Sequence, residues 1–197
     1  MAGVRQFDED EVFEEALAVF WQKGYAATTM QDLAAATGVQ RGSLYNAYGD
    51  KETLFLHVFG RYRDSYLAQL RQALAQEDPR LALRQFLHYI FRSMRTGKPS
   101  RGCLSTKTAL SEEGKEEQIR AVIRGLLDDM EAVLLERFDR PDTRSQLSMT
   151  PREAARMVVC MTRGLVVLER VYQDEKRLKE MAEILIGTLL PGEGSRK

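Results

Sequence analysis

Apolar residues recur along this chain at intervals of three and four, and no stretch alternates apolar and polar between turn residues for long. The pattern is helical from end to end. After Phe7–Asp8, the residues Phe13, Ala16, Leu17, Phe20 and Trp21 predict a first helix that Gly24 stops. Its opening turns carry Asp8, Glu9, Asp10, Glu11, Glu14 and Glu15, which suits the positive end of a helix dipole. Thr29 with Asp32 three residues on resembles a capping box and starts a short second helix to about Thr37, where Gly38 turns the chain. A third helix covers roughly Gln40 to Ala47, before Gly49–Asp50. Asp50 then caps a long fourth helix from Lys51 to about Ala75, with Leu54, Phe55, Val58, Phe59, Tyr62, Tyr66 and Leu70 on its apolar side.

Asp78–Pro79 starts a fifth helix, since proline is tolerated at the first helical position, and Leu83, Phe86, Leu87, Ile90, Phe91 and Met94 carry it to Gly97–Lys98–Pro99. A short sixth helix is expected at about Leu104 to Ser111, and a seventh from about Lys115 to Phe138. Asp139 to Met149 is polar and contains proline, so it reads as a surface loop. Thr150–Pro151–Arg152–Glu153 supplies an N-cap, a first-turn proline and an acid at the third position, opening an eighth helix to about Tyr172. A ninth runs from about Lys176 to Leu190, stopped by Pro191–Gly192, and the tail from Glu193 is expected to fray. The prediction is an all-α chain of about nine helices.

Composition narrows the function classes. Of 197 residues, 29 are Lys or Arg and 29 are Asp or Glu, so a globally basic nucleic-acid coat is excluded while a local basic site is not. With 44% hydrophobic and 29% charged residues, the chain has the composition of a folded protein. No apolar run approaches the roughly 20 residues that span a bilayer, so no membrane partner is expected. The N-terminal MAGVRQFDEDE has no apolar signal region, which points to the cytoplasm. Cys103 and Cys160 cannot make a disulfide framework, and His57 and His88 belong to no metal-binding pattern. Phosphate-cradling glycine motifs and the G-x-S-x-G elbow are absent, so no metal, cofactor or enzyme activity is expected.

The second and third helices are short and joined by Gly38, with small Ala34 four residues before that glycine and apolar Leu44 six after it. Those are the requirements of a helix-turn-helix: a small residue at the crossing, glycine in the turn, and an apolar residue pinning the second helix. The longer string GYAATTMQDLAAATGVQRGSLYNAYGDKETLF, residues 24–55, resembles the TetR family of bacterial regulators. The resemblance rests on Gly24–Tyr25, Thr28–Thr29, Leu33–Ala34, Gly38–Val39, Arg41–Gly42–Ser43–Leu44–Tyr45 and Lys51–Glu52. It implies a homodimeric transcription factor that binds a double-stranded DNA operator, typically a repressor released by a small-molecule effector. It further implies a helix-turn-helix domain over residues 1–50 and a ligand-binding and dimerisation domain over 51–197.

Gln40, Arg41, Ser43, Tyr45 and Asn46 offer polar donors on a helix short enough to lie in a major groove, and Gly42 permits close backbone approach. Gln40, Arg41 and Asn46 are the candidates for base edges, with Arg41 equally suited to a phosphate. By the resemblance, Thr28, Thr29, Tyr45 and Lys51 match positions that hold phosphates. Against this stands the charge of residues 1–50, where three basic residues (Arg5, Lys23, Arg41) face eight acidic ones, a balance of −5.

In the second half, Ala154, Val158, Met161, Leu165, Leu168 and Tyr172 form one apolar stripe and Ala155, Val159, Thr162 and Val166 another, while Leu178, Met181, Leu185 and Leu189 continue on the last helix. One stripe can pack inward and one against a second copy, and the resemblance implies a dimer through these last two helices. Leu165, Met181, Leu185 and Leu189 are therefore the expected dimer interface. Phe86, Tyr89, Met94 and Met130 are candidates to line an effector cavity. Cys103 opens the sixth helix, where the dipole favours a thiolate, and Lys107 four residues on is placed to assist it. The segment GCLSTKTAL resembles a Gly-Cys-Leu stretch of a TetR subgroup that includes thiol sensors, although Lys107 stands where that subgroup usually has Asn. Cys160, inside an apolar helix, is expected to be inert. Two other readings fit an all-α chain: a helical enzyme using the C-terminal cavity, and a dimeric scaffold without DNA binding. The enzyme would need a base beside Cys103, and no histidine is placed to supply one.

Overall fold

The computed structural model of the chain describes residues 7–97, 100–112 and 116–192. Ten α-helices and no strand occur among the described residues: α1 (Glu9–Ala27), α2 (Met30–Thr37), α3 (Arg41–Tyr48), α4 (Lys51–Ala73), α5 (Pro79–Arg95), α6 (Leu104–Ala109), α7 (Glu117–Phe138), α8 (Pro141–Arg144), α9 (Pro151–Tyr172) and α10 (Glu175–Leu189). The expected start of the seventh helix at Lys115, Lys98–Pro99 at the expected end of the fifth, the tail from Glu193 and Arg5 all lie outside the described residues. The all-α expectation of about nine helices holds, and the additional one is α8, a single turn within the segment expected to be a loop. Four residues are too few to show a hydrophobic period.

The chain divides into two compact units. One holds the described residues up to Asp64 together with Leu104–Ile123; the other holds Ser65–Cys103 and the described residues from Arg124 on. In the first unit α1 packs on α2 and α6, and α2 on α3. An aromatic cluster fills its centre, with ring centroids 5.0 Å apart for Phe20–Phe55, 4.9 Å for Tyr25–Phe55 and 5.1 Å for Trp21–Tyr62. Gly24 interrupts α1 with φ 80 and ψ 165, a conformation that an L side chain resists, and one further turn follows it. Side chains serve the backbone carbonyls around that break. Lys107 donates to the Trp21 carbonyl at 2.8 Å, Thr28 to Gly24 at 2.6 Å, and Lys51 to Tyr25 at 3.0 Å and Ala26 at 3.4 Å.

In the second unit α5, α9 and α10 pack on one another. Capping holds these helices as the sequence requires. Asp78 accepts from the amides of Arg80 and Leu81 beside Pro79, Thr150 and Glu153 form a full capping box, and Asp174 accepts from Lys176 and Arg177. Arg84 clamps Glu183 through two hydrogen bonds of 2.6 and 2.7 Å, tying α5 to α10. Arg137, only 2% exposed, donates to the carbonyls of Gln76 and Glu77 at 3.1 and 2.7 Å and to Thr143 and Asp142, so a buried guanidinium orders α8 against the end of α7.

Candidate nucleic-acid interface

The turn between α2 and α3 is built from local chemistry. The Thr29 side chain accepts from the Asp32 amide at 3.1 Å, and the Asp32 carboxylate accepts from the Thr29 amide at 2.9 Å, a reciprocal capping box. Lys23 lies 2.6 Å from the same carboxylate, and its hydrogen bond, with those from Thr29, lowers the Asp32 pKa to about 2. At the other end Gly38 adopts φ 67 and ψ 4, the left-handed geometry that closes a helix and redirects the chain. Leu33 on α2 and Leu44 and Tyr48 on α3 are buried, and the Tyr48 ring lies 6.0 Å from that of Phe13 on α1.

Burial on that side fixes what α3 presents on the other. Gln40, Arg41, Gly42, Ser43, Tyr45 and Asn46 are all exposed, and together they form one contiguous polar ridge on a helix of eight residues. Arg41 lies over the Tyr45 ring at 5.9 Å and forms no ion pair among the described residues. Thr29 is exposed as well. Thr28, expected at a phosphate, is instead 1% exposed and donates its hydroxyl to the Gly24 carbonyl. Lys51 is engaged with the end of α1, and its ammonium also sits 4.3 Å above the Tyr25 ring. The resemblance alone assigned both residues to phosphates, and a cation or a hydroxyl can serve a stray carbonyl as readily as a phosphate.

The acids of α1 are partly accounted for. Asp8 is its N-cap, accepting from the Asp10 amide at 2.8 Å and the Glu11 amide at 3.4 Å, and Asp10 pairs with Arg61 at 2.6 Å.

The expected effector residues fall into different settings. Phe86, Met94 and Met130 are core, and Tyr89 is half-buried, its hydroxyl pKa raised by burial. Tyr89 also lines an open groove, of about 640 Å³, with residues of α4 and α5. Cys103 is half-buried, and its partner was missed: Arg163 of α9 holds Nη1 3.5 Å from Sγ and Nη2 3.9 Å from the Met130 sulfur. The same arginine opposes the burial that pushes the Tyr66 hydroxyl pKa up. Lys107, expected to serve Cys103, donates to the Trp21 carbonyl. Sixty residues of sequence separate Cys103 from Arg163, and no local signal joins them.

On α9 the structure corrects the expected faces. Leu165, Leu185 and Leu189 are at most 2% exposed within this one chain, and Met181 is half-buried. Both stripes read from the sequence pack mainly inward. A third set is exposed: Met157, Val167 and Val171, with Cys160 and Gly164 completing steps of three and four, and Ile184 on α10. Cys160, expected to be inert, belongs to that exposed set. No helix among the described residues is long and apolar enough to cross a membrane, and no His, Cys, Asp and Glu group there could hold a metal.

Known proteins share this arrangement. A family model described as "Bacterial regulatory proteins, tetR family" matches residues 12–58, and one described as "Transcriptional regulator LmrA/YxaF-like, C-terminal domain" matches residues 79–184. The HTH-type transcriptional repressor ComR of Escherichia coli is 26% identical over 182 residues, 89% of this chain and 86% of ComR. Among solved structures, a cysteine-substituted CifR of the TetR family, complexed with a 26-bp double-strand operator, superposes with a TM-score of 0.83 at 24% identity, covering 95% of this chain and 100% of that one. Reduced E. coli NemR gives a TM-score of 0.82 at 16% identity over 93% of this chain and 97% of its own. The helix-turn-helix built around Gly38 and the helices that follow it make this chain a member of the TetR family of DNA-binding transcriptional regulators, with a C-terminal domain of the LmrA/YxaF-like kind.

Proposed function

We propose that the chain is a homodimeric repressor that reads a palindromic operator with α3 and leaves it in response to a small-molecule or thiol-reactive signal. The exposed ridge of Gln40, Arg41, Ser43, Tyr45 and Asn46, set opposite buried Leu44 and Tyr48, carries the reading. Amides and a guanidinium on a short helix match the donor and acceptor patterns that base pairs show in the major groove. ComR is named a repressor, and the CifR structure holds operator DNA, which supports the same role here. Residues 1–50 form the DNA-reading part in this proposal, and 51–197 the part that pairs and senses.

A palindrome calls for two copies related by a two-fold axis. The stripe Met157, Cys160, Gly164, Val167 and Val171, spaced like the seam of a helical bundle, is the surface we assign to that pairing, with Ile184 beside it. Cys103 is the proposed point of signal reception, because the Arg163 guanidinium stabilises the thiolate that electrophiles attack. The experiment is to isolate genomic fragments with the purified protein and measure affinity for the recovered site. Wild type binds it specifically, and Gln40→Ala relaxes the preference at one or two base positions, each worth roughly 1–3 kcal/mol. Recovery of no specific fragment, or a Gln40→Ala protein with unchanged preference, contradicts the placement of α3.

A further inference from the structure

The groove between the second half of α4 and α5 lies wholly within the second unit and faces solvent. Its wall on α4 is Gln69, Gln72 and Ala73, continued by Gln76 in the loop that follows, and its wall on α5 includes Arg84, Gln85, His88, Tyr89 and Arg92. Three features set it apart from ordinary surface. No carboxylate lines it, whereas two arginines and a histidine do. Arg84 is held by Glu183, but Arg92 forms no ion pair among the described residues and only approaches the Tyr89 ring at 5.9 Å. None of the four glutamine side chains makes a hydrogen bond within the chain among the described residues, so four amides stand with their donors and acceptors open to a ligand.

His88 and Arg92 are four residues apart, one above the other on the α5 surface. They also border a second hollow of about 370 Å³, where Glu175 is taken up by Lys179 at 2.7 Å and by Arg95. The acid lining that second hollow is therefore paired, and hydrogen bonds from Lys179 and Arg95 lower its pKa to about 2. The chemistry is complementary to an anion at one end and to hydroxyl groups along the rest, because each amide both donates and accepts. Leu81, 37% exposed, and Ala73 add a small apolar surface for a ring face. A volume of about 640 Å³ suits a molecule of sugar or nucleotide size.

We propose that this groove is a binding site for a small phosphorylated, hydroxyl-rich molecule, with Arg92 and His88 on the phosphate and Gln69, Gln72, Gln76 and Gln85 on the hydroxyls. It is separate from Cys103 and does not depend on the reading of α3. The test is calorimetric titration of the full chain, without DNA, using glucose 6-phosphate, adenosine 5′-monophosphate, glucose and inorganic phosphate as probes. At least one of the two phosphorylated sugars binds, and glucose and inorganic phosphate bind more weakly. Arg92→Gln and, separately, Gln72→Leu each weaken that binding about tenfold or more. Both positions are exposed, and an unchanged circular dichroism spectrum and melting temperature show that each variant is folded. Preference between the two phosphorylated probes identifies the sugar source. Failure of both to bind, equal binding of inorganic phosphate, equal binding of glucose, or affinity indifferent to Arg92→Gln overturns the proposal.

Discussion

Lys51 combines a structural duty with a proposed one, and replacing it by Met separates them. Met keeps most of the apolar stem and removes the ammonium. In the fold that ammonium makes one good hydrogen bond, 3.0 Å to the Tyr25 carbonyl, a longer one to Ala26, and a cation–π contact at 4.3 Å. A charged hydrogen bond at a part-exposed site is worth about 1.5 kcal/mol, the low end of its range. The ring contact adds about 0.5–1 kcal/mol at such a site. The loss is therefore about 2 kcal/mol, which for a chain of this size lowers the melting temperature by about 4–8 °C. Calorimetry or thermal circular dichroism reads it directly. A melting temperature unchanged by the substitution would refute the role at the end of α1. The ammonium has a third N–H for a phosphate. Its loss then weakens binding to all DNA sequences alike and reduces the magnitude of the salt slope by about 0.9 per subunit. A lower melting temperature with an unchanged slope makes Lys51 a purely internal cation.

Val167→Glu and Leu165→Glu distinguish the two sides of α9: the first leaves a folded monomer by light scattering, and the second unfolds the chain, because its side chain has no solvent to reach. A Val167→Glu protein that stays dimeric moves the pairing surface elsewhere. Treatment with N-ethylmaleimide releases operator from wild type and Cys160→Ser but not from Cys103→Ser, and Arg163→Gln slows alkylation of Cys103 measured by mass spectrometry. If Cys103→Ser is released as well, the thiol is not the sensor. Asp32 contributes stability above its ordinary pKa of 3.8 that is lost as pH falls from there toward about 2, since folding lowers its pKa. Wild type is accordingly more stable than Asp32→Asn at pH 6, and the gap closes by pH 2; a gap independent of pH rejects the pairing with Lys23 and Thr29.

What the sequence made legible follows from how local each cause is. The α2–α3 turn was readable because Thr29, Asp32 and Gly38 act on backbone within three or four residues of themselves. The same holds for the starts of α5 and α9, where Pro79 and Pro151 follow a capping residue. The outward face of α9 was not readable. Leu165 and Val167 are both apolar, and only the position of α5 and α10 decides which of them meets solvent. Arg163 beside Cys103, and Arg137 beneath α8, escaped for a related reason: a charged residue in an apolar stretch looks like surface until the fold surrounds it. Lys107 was misplaced by helix spacing alone, which puts it one turn after Cys103 and says nothing of the Trp21 carbonyl.

Two cations of the first unit are held by its own acids, Lys23 by Asp32 and Arg61 by Asp10, while Lys51 and Lys107 keep their charge on the carbonyls at the broken end of α1. Arg41, on the reading helix, is in no ion pair among the described residues. Attraction to bulk DNA is almost entirely a count of neutralised phosphates, so each cation already held by an acid lessens the grip on arbitrary sequence. A bacterial chromosome offers millions of such decoy sites against a few operators. A weaker hold on those decoys leaves a larger share of the copies in free solution. A small number of molecules per cell then suffices to occupy the target, and a modest loss of operator affinity empties it.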